Sequence, residues 1–470
     1  MRWSPLLLWC CEPVGQHGAE GLRGEPWIVA MSTSVRLAFL LALPASSASM
    51  THAGRELIME VVHERCAGMD VSKRDAKVCV RVAGRGRRKT EETVSTWAST
   101  TNAILRLREH LIEQRVSLVV MEATGDYWKP FYYLLEDAGF AVMLVNARQV
   151  KNLPGRKSDV SDAVWLAQLG AHGLVRGSFV PPATIRELRD LTRARSLMTR
   201  ERGREIQRLE KLLEDAGIKL SSVASDITGV SGRLMLQALI DGQRDPDVLA
   251  DLAKRRLRVK IPELTEALTG RFTEHHAFLA RMHLEVVDQR TRQIEELNTR
   301  IEVVMEPFQP FASLIRTIPG IGQRCAEVIV AETGADMTIF PTAAHLTSWA
   351  GTSPSSNESA GRVKSTATRP GNAYLKAALG AAALSIANTH DTYLSAKYRR
   401  IAARRGPKKA LVAVERAILN AIWTMAHTGA HYDDPGADYY SRRDPERLKR
   451  HAMSQLQRLG YNVTLTPVAA

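Results

Sequence analysis

Cysteine is scarce in this 470-residue chain, and its spacing argues against two classes of protein. The five cysteines are Cys10, Cys11, Cys66, Cys79 and Cys325. They show neither the paired spacing of a zinc site nor the density of a disulfide framework. A chain without these features suits a reducing compartment, so we expect a cytoplasmic location.

Acidic residues are too few to balance the basic ones. The chain has 50 Asp and Glu against 64 Lys and Arg, which gives a net charge of +14 and a pI near 9.7. Such an excess favours a polyanionic partner, most often nucleic acid. The apolar content of 45% and the charged content of 24% are ordinary for a globular protein. The length suits two or three domains.

Apolar runs long enough to span a membrane are missing as well. The most apolar stretch near the start, residues 36–44, precedes small residues at 45–49 and resembles the core and cleavage site of a signal peptide. It begins far from Met1, and Met50 and Met59 offer later starts. A secretion signal does not suit a protein whose partner is nucleic acid. We therefore interpret residues 1–58 as an over-translated or disordered leader.

After this leader the sequence alternates between strand and helix patterns. Continuous apolar runs are typical of strands buried on both faces of a sheet, and the apolar stripe that starts at Ile104 indicates a helix. The predicted strands are 66–71, 75–83, 92–97, 116–122 and 140–146, and further helices are predicted at 127–138 and 158–170. Three strands, helix, strand, helix, strand, helix is the order of the ribonuclease-H-like α/β fold.

Four carboxylates fall at the ends of these elements. The first and fourth strands of such a sheet are parallel neighbours, so Asp70 and Glu122 are expected to face one another at the edge where ligands bind. Asp159 and Asp162 are three residues apart in a helix that we expect Ser158 to cap, so they should share a face. Four convergent carboxylates would suit one or two magnesium ions.

Each carboxylate also has a purely structural interpretation. Asp70 alone is a typical turn residue between hairpin strands, and Glu122 simply ends a strand. Asp159 and Asp162 are residues that any helix N-terminus favours through its macrodipole. We prefer the metal site because all four residues fall at element ends that this fold brings together.

The middle of the chain is helical and highly charged. A long helix is predicted at 184–217, and further helical blocks are predicted at about 231–256 and 274–304, with apolar residues repeating at three and four. Two arrangements fit this pattern equally well: an antiparallel coiled-coil arm, or a plain helical bundle within one chain. If the arm pairs with another subunit, the protein is an oligomer.

The C-terminal part is predicted to be mainly helical and to contact phosphates. Residues 314–322, with Gly320 and Gly322, match a helix-hairpin-helix turn whose backbone N–H groups can bind a phosphate. A serine-rich loop follows at 355–365, with Arg362 and Lys364, and could present a nucleophilic hydroxyl beside cations. Such loops are more often merely flexible. Further basic residues, which we expect to face phosphates, are Arg399, Arg400, Arg404, Arg405, Lys408 and Lys409.

Taken together, these motifs resemble a known family. MEATG at 121–125, RKSDVSDA at 156–163, IPGIG at 318–322 and RPGN at 369–372 occur in the order found in the IS-one-ten family of insertion-sequence transposases, as does the start at 59–73. The resemblance implies a RuvC-like DEDD domain at 59–180 and a helical or coiled-coil domain at 181–310. It further implies a transposase domain at 311–430, followed by a polar tail at 431–470.

The resemblance also implies a catalytic apparatus. Carried over by position, the DEDD tetrad that binds Mg²⁺ or Mn²⁺ is Asp70, Glu122, Asp159 and Asp162, and the catalytic serine is Ser359. Here the family's Ser-Gly element reads Ser-Ala-Gly, so Ser355 and Ser356 remain rivals. A guide RNA would select the DNA sites, and a dimer or tetramer would combine the carboxylates of one subunit with the serine of another. The alternatives are a metal-dependent junction nuclease that uses water, and a non-catalytic DNA-binding protein.

Overall fold

The structure is a computed structural model that describes residues 60–85, 87–123, 125–146, 150, 161–354, 357–359 and 361–466. The chain divides into two compact units between Arg176 and Gly177. The strands of the first unit are β1 (Arg65–Val71), β2 (Asp75–Val82), β3 (Glu91–Ala98), β4 (Leu118–Glu122) and β5 (Ala141–Val145). The helices whose bounds fall among the described residues of this unit are α1 (Thr101–Glu113), α2 (Trp128–Leu135) and α3 (Asp162–Ala171).

The five strands form one mixed sheet in the order β3-β2-β1-β4-β5. The first three strands are antiparallel neighbours along the chain, whereas β4 and β5 run parallel to β1. Every residue of β4 is buried, as its continuous apolar pattern predicts. The ribonuclease-H-like fold class predicted from the order of elements is confirmed.

Helix α3 lies directly against the centre of the sheet and runs antiparallel to β1. A Cβ atom at Gly68 would come within 2.1 Å of the Ala163 carbonyl oxygen, near the start of the helix. At the other end, the Ala171 carbonyl accepts the backbone N–H of Val62 at 2.8 Å, just before β1 begins. The N-terminus of α3 therefore lies at the same edge of the sheet as the C-terminal end of β1.

The predicted start of this helix was wrong. We expected a helix from 158, capped by Ser158, but α3 begins at Asp162 and its N-cap is Ser161, whose Oγ accepts the backbone N–H of Val164. Ser161 supplies the cap oxygen and Asp162 places negative charge in the first turn, which together favour this start. Ser158 and Asp159 lie outside the described residues, so the shared face of Asp159 and Asp162 stays a prediction.

The second unit contains a pair of long helices, α4 (Ala183–Asp215) and α9 (Glu274–Met305). They run antiparallel, because Glu187 pairs with Arg300 at 2.6 Å near one end and Asp215 contacts His276 at 3.0 Å at the other. The two predicted long helices thus pair with each other inside one chain.

Short helices close the far end of this pair. They are α5 (Leu220–Val223), α6 (Val230–Ile240), α7 (Pro246–Asp251) and α8 (Ile261–Ala267), with a 3-10 turn at Arg255–Lys260. The helical block predicted at about 231–256 consists of separate helices. Gly242, at a φ of 101°, ends α6, and Asp245 and Pro246 begin a new helix.

The C-terminal helices share one hydrophobic core with the near end of α4. They are α10 (Gln309–Ile315), α11 (Gln323–Thr333), α12 (Ala343–Trp349), α13 (Ala373–Ala387), α14 (Tyr393–Arg405) and α15 (Pro407–Thr428), with 3-10 turns at Glu306–Phe308 and Met337–Ile339. A hairpin of β6 (Asn357–Ser359) and β7 (Arg362–Ser365) precedes α13, and α16 (Tyr439–Arg443) and α17 (Pro445–Arg458) follow. No helix among the described residues is both long and apolar enough to cross a membrane.

The contact between α3 and β1 predicts a large effect of one methyl group. We expect Gly68→Ala to lower the free energy of unfolding of the first unit by about 3 kcal/mol, because the added Cβ must push α3 away from the sheet. Gly203→Ala is the matched control, since Gly203 lies inside α4 and a Cβ added there would meet no atom within 4 Å. It should be neutral or slightly stabilising. Calorimetry of the full chain checks both, and equal effects of the two changes would contradict this packing.

Candidate active site

Asp70 and Glu122 occupy equivalent positions on two neighbouring parallel strands. The register pairs Gly68 with Val120 and Met69 with Met121, so the two carboxylates come next in step at the C-terminal ends of β1 and β4. Both follow Gly68 and Val120 by two residues and therefore lie on the sheet face that α3 covers. Asp70 is half-buried and Glu122 is only 7% exposed.

The turn interpretation of Asp70 is wrong. Asp70 lies within β1, where it is paired with Lys77 of β2. The carboxylate that serves the β1–β2 turn is Asp75, whose Oδ1 accepts the Ser72 hydroxyl at 2.7 Å. Asp70 is thus not needed to form the turn.

Asp162 approaches the same edge from the helix. It is the first residue of α3, directly before Ala163, whose carbonyl lies against Gly68. Gly68 in turn precedes Asp70 by two residues, so Asp70, Glu122 and Asp162 belong to one edge of the sheet. Asp159, the fourth predicted member, lies outside the described residues.

We call Asp70, Glu122 and Asp162 the carboxylate edge. All of its donors are oxygens, which is the ligand type that hard divalent cations such as Mg²⁺ prefer. Within the part of the chain that the structure describes, no three Asp, Glu, His or Cys side chains are arranged so that they could hold a metal ion. The donor chemistry of the edge, taken by itself, fits a divalent ion.

The nearby cysteines are structural. Cys66 and Cys79 are fully buried in the sheet, and burial raises the pKa of Cys66 to about 11 and of Cys79 to about 12. Thiols with such pKa values stay protonated and are poor metal ligands and nucleophiles at neutral pH. The two cysteines are therefore not candidate ligands or nucleophiles.

The serine-rich loop, expected to be irregular, contains a short β-hairpin. Strands β6 and β7 are antiparallel, and Ser359 is paired with Arg362 across a turn that includes Gly361 at a φ of 75°. We call this β6–β7 hairpin the serine hairpin. Arg362 and Lys364 are exposed. The rival serines, Ser355 and Ser356, lie outside the described residues.

The two glycines of the helix-hairpin-helix turn have different surroundings. Gly320 has a φ of 85°, and a Cβ there would come within 2.7 Å of Ile386 on α13, so this glycine permits close packing of the turn. Gly322 is the exposed N-cap of α11, with open space around it. Only Gly322 thus leaves room for a ligand. The predicted basic residues Arg404, Arg405, Lys408 and Lys409 are all exposed where α14 meets α15.

Sequence reasoning missed two features that position these sites. Gly68 allows α3 to approach the sheet, and an isolated glycine within a strand is the pattern that could have indicated it. Asn372 caps α13 and also contacts the buried Glu332 at 2.7 Å. Its place directly before a helix predicts the cap but not the second contact.

Two regions of the chain, each containing one of the candidate sites, match models of known protein families. A family model of the DEDD type of IS110, described as Transposase, matches residues 67–218. A second, described as Transposase IS116/IS110/IS902 family, matches residues 312–399. The first range contains the carboxylate edge and the second contains the serine hairpin, so the chain is of the transposase class. It belongs to the IS110 family of insertion-element transposases.

Two curated relatives carry insertion-element names. The "Insertion element IS110 uncharacterized 43.6 kDa protein" of Streptomyces coelicolor is 30% identical over 152 residues, which are 32% of this chain and 36% of that protein. The "Insertion element IS900 uncharacterized 42 kDa protein" of Mycobacterium paratuberculosis is 27% identical over 325 residues, which are 64% of this chain and 80% of that protein. A solved structure described as "Thermus thermophilus RuvC structure" covers 24% of this chain and 99% of its own at 17% identity, with a TM-score of 0.20.

The carboxylate edge predicts binding of a divalent cation. We expect the full chain to bind Mn²⁺ and the double change Asp70→Asn, Glu122→Gln to weaken this binding at least about tenfold, because two anionic ligands become neutral. The matched control is Glu109→Gln with Glu113→Gln, two exposed carboxylates on α1. Isothermal titration measures all three affinities. Equal affinity in the double variant and the wild type would contradict the site.

Proposed function

We propose that this protein is a DNA transposase that cleaves and rejoins the strands of an insertion sequence. The observation that supports this most is the carboxylate edge, because β1, β4 and α3 belong to different parts of the sequence and each contributes an acidic residue there. A catalytic interpretation accounts for all three at once. Acid groups gathered at the carboxyl edge of an open sheet are typical of a site that handles phosphates.

Asp70, Glu122, Asp159 and Asp162 would hold Mg²⁺ or Mn²⁺, which supplies stabilisation of negative charge on a phosphodiester. Glu122 contributes a carboxylate that is already largely withdrawn from water, and a cation would offset the cost of burying its charge. Asp162, at the head of α3, is held in place by the packing of that helix on Gly68.

Ser359 is the proposed nucleophile. Its hydroxyl oxygen forms a bond to the phosphorus of a DNA phosphodiester while the bond from phosphorus to one deoxyribose oxygen breaks. The serine loses a proton and the departing deoxyribose oxygen gains one, so the step is balanced and conserves the phosphoester energy for rejoining. The reverse attack by another DNA end then completes strand exchange.

The exposed cations of the C-terminal part suit the phosphate backbone. Arg362 and Lys364 both lie on β7, just after the turn of the serine hairpin, and Gly322 is the N-cap of α11. Four further cations, Arg404, Arg405, Lys408 and Lys409, cluster at the α14–α15 junction. Contacts of this type bind DNA without reading its sequence. We therefore propose that base pairing with a guide RNA supplies the specificity, and that a dimer or tetramer performs the exchange.

Trapping a covalent adduct tests this function. The full chain is incubated with Mg²⁺, RNA transcribed from the element and labelled DNA of the element ends, and protein-linked DNA is counted on a denaturing gel. We expect a wild-type adduct that Ser359→Ala abolishes, because the nucleophilic oxygen is gone. Ser365→Ala, on the opposite strand of the same hairpin, is the matched control and should retain the adduct.

Other outcomes separate the alternatives. An adduct that persists in Ser359→Ala but disappears in Ser355→Ala or Ser356→Ala would move the nucleophile to a rival serine. Cleavage that survives all three changes together and leaves no adduct would falsify the serine mechanism and favour a junction nuclease that uses water. Binding of DNA with no cleavage at any divalent-ion concentration would indicate a non-catalytic binding protein.

A further inference from the structure

The two chain segments that join the serine hairpin to the helical core, residues 351–354 and 368–371, lie side by side. We call them the stem. Gly351, after α12, and Gly371, before α13, lie back to back: a Cβ at Gly371 would come within 2.2 Å of the Ala350 carbonyl oxygen. Both glycines have positive φ values, 75° and 60°. Pro354 and Thr368, which lie between these glycines and the hairpin in the sequence, form an isolated antiparallel β-bridge. The stem thus fixes where the hairpin begins and ends.

Asn372 is the first residue after this stem and uses both ends of its side-chain amide. Its Oδ1 accepts the backbone N–H groups of Tyr374 and Leu375, both at 3.1 Å, which caps α13. Its Nδ2 donates to Oε2 of Glu332 at 2.7 Å. The cap requires only the oxygen, so the bond from the nitrogen serves a second purpose.

Glu332, near the end of α11, is completely buried and receives two more charged donors from the long helix α4. The guanidinium of Arg193 donates from Nε to Oε1 and from Nη2 to Oε2, both at 2.8 Å. Arg189 lies 3.4 Å from Oε2 and donates to the backbone carbonyls of Ala331 and Glu332. Bidentate geometry of this kind fixes orientation as well as charge.

These contacts form one chain of bonds from α4, through Glu332, to the residue that anchors the hairpin stem. Arg193 also lies over the ring of Tyr374, 4.8 Å from its centroid, so it contacts the first turn of α13 from a second side. Arg193 and Glu332 are 139 positions apart in the sequence, and Glu332 and Asn372 are 40 positions apart. A cap for α13 alone would need neither Glu332 nor Arg193.

We propose that Arg193, Glu332 and Asn372 are positioning residues for the serine hairpin. They hold the stem in a fixed orientation relative to α4, so that the hairpin presents its serine in one direction when DNA is bound. This inference rests on the proposed function, because it assigns the hairpin a task for which orientation matters.

Two changes at Asn372 test the contact without removing the cap. Asn372→Asp keeps an oxygen that caps α13 but replaces the donor, so that two carboxylates meet at the Glu332 contact. Asn372→Ser also keeps a capping oxygen, but its side chain is too short to reach Glu332, so the contact is lost without an added charge. The readouts are the rate of adduct formation, the affinity for DNA, the thermal midpoint, and hydrogen exchange of residues 357–365.

We expect Asn372→Asp to slow adduct formation about tenfold or more while DNA affinity stays within about twofold, because misplacement affects the reaction rather than the binding. Hydrogen exchange of the hairpin should become faster. Asn372→Ser should change the rate and the exchange in the same direction, because the donor to Glu332 is absent in both variants. A merely structural role would not show this pattern, since it would lower rate, affinity and thermal midpoint together.

The results separate this inference from the proposed function. If the wild-type protein forms no adduct, the serine mechanism fails, yet faster hairpin exchange in both Asn372→Asp and Asn372→Ser would still support the positioning contact. An unchanged adduct rate and unchanged exchange in Asn372→Asp would overturn the inference while leaving the serine mechanism intact. Wild-type rate and exchange in Asn372→Ser would overturn it as well, because the effect of Asn372→Asp would then come from the added charge alone.

Discussion

The parallel pairing of β1 with β4 is the constraint on which the first unit depends. These strands are joined through β2, β3 and α1, and only their pairing brings Asp70 level with Glu122. Helix α3 can then lie across both strands only because Gly68 has no side chain. Backbone hydrogen bonds and one close helix–strand contact thus place three acidic residues from distant parts of the sequence at one edge.

In the second unit, buried charged groups fix the position of the serine hairpin. Its C-terminal helices must hold a hairpin of small polar residues that has little apolar surface of its own to bury. The stem glycines and the chain of bonds through Asn372 and Glu332 to Arg193 supply the fixed orientation instead. A second pair, Arg195 and Glu327 at 2.6 Å, joins α4 to α11 in the same manner. Unpaired charges in these buried positions would be costly, which makes the arrangement specific.

Much of this could be predicted from the sequence, and the failures have physical causes. Long apolar runs such as β4 report burial directly, so the elements and the positions of Asp70 and Glu122 near strand ends followed from the pattern, and the pairing of their strands followed from the fold class. We predicted Ser158 as the helix cap where the structure has Ser161, because the two serines are equally good caps and no local pattern separates them. The hairpin around Ser359 was missed since small polar residues have weak strand propensity and form strands through local pairing and turn geometry. Contacts such as Arg193 to Glu332 depend on tertiary packing that no local pattern encodes.

The proposed function depends most on the carboxylate edge, and locating a bound ion tests that site most directly. Crystals of the full chain soaked in Mn²⁺ give an anomalous difference map in which metal positions are seen independently of any assumed mechanism. We expect a peak at the C-terminal ends of β1 and β4, within ligand distance of Asp70 and Glu122, with Asp162 beside it. A fully occupied Mn²⁺ peak elsewhere on the protein, with none at this edge, would contradict the proposed metal site.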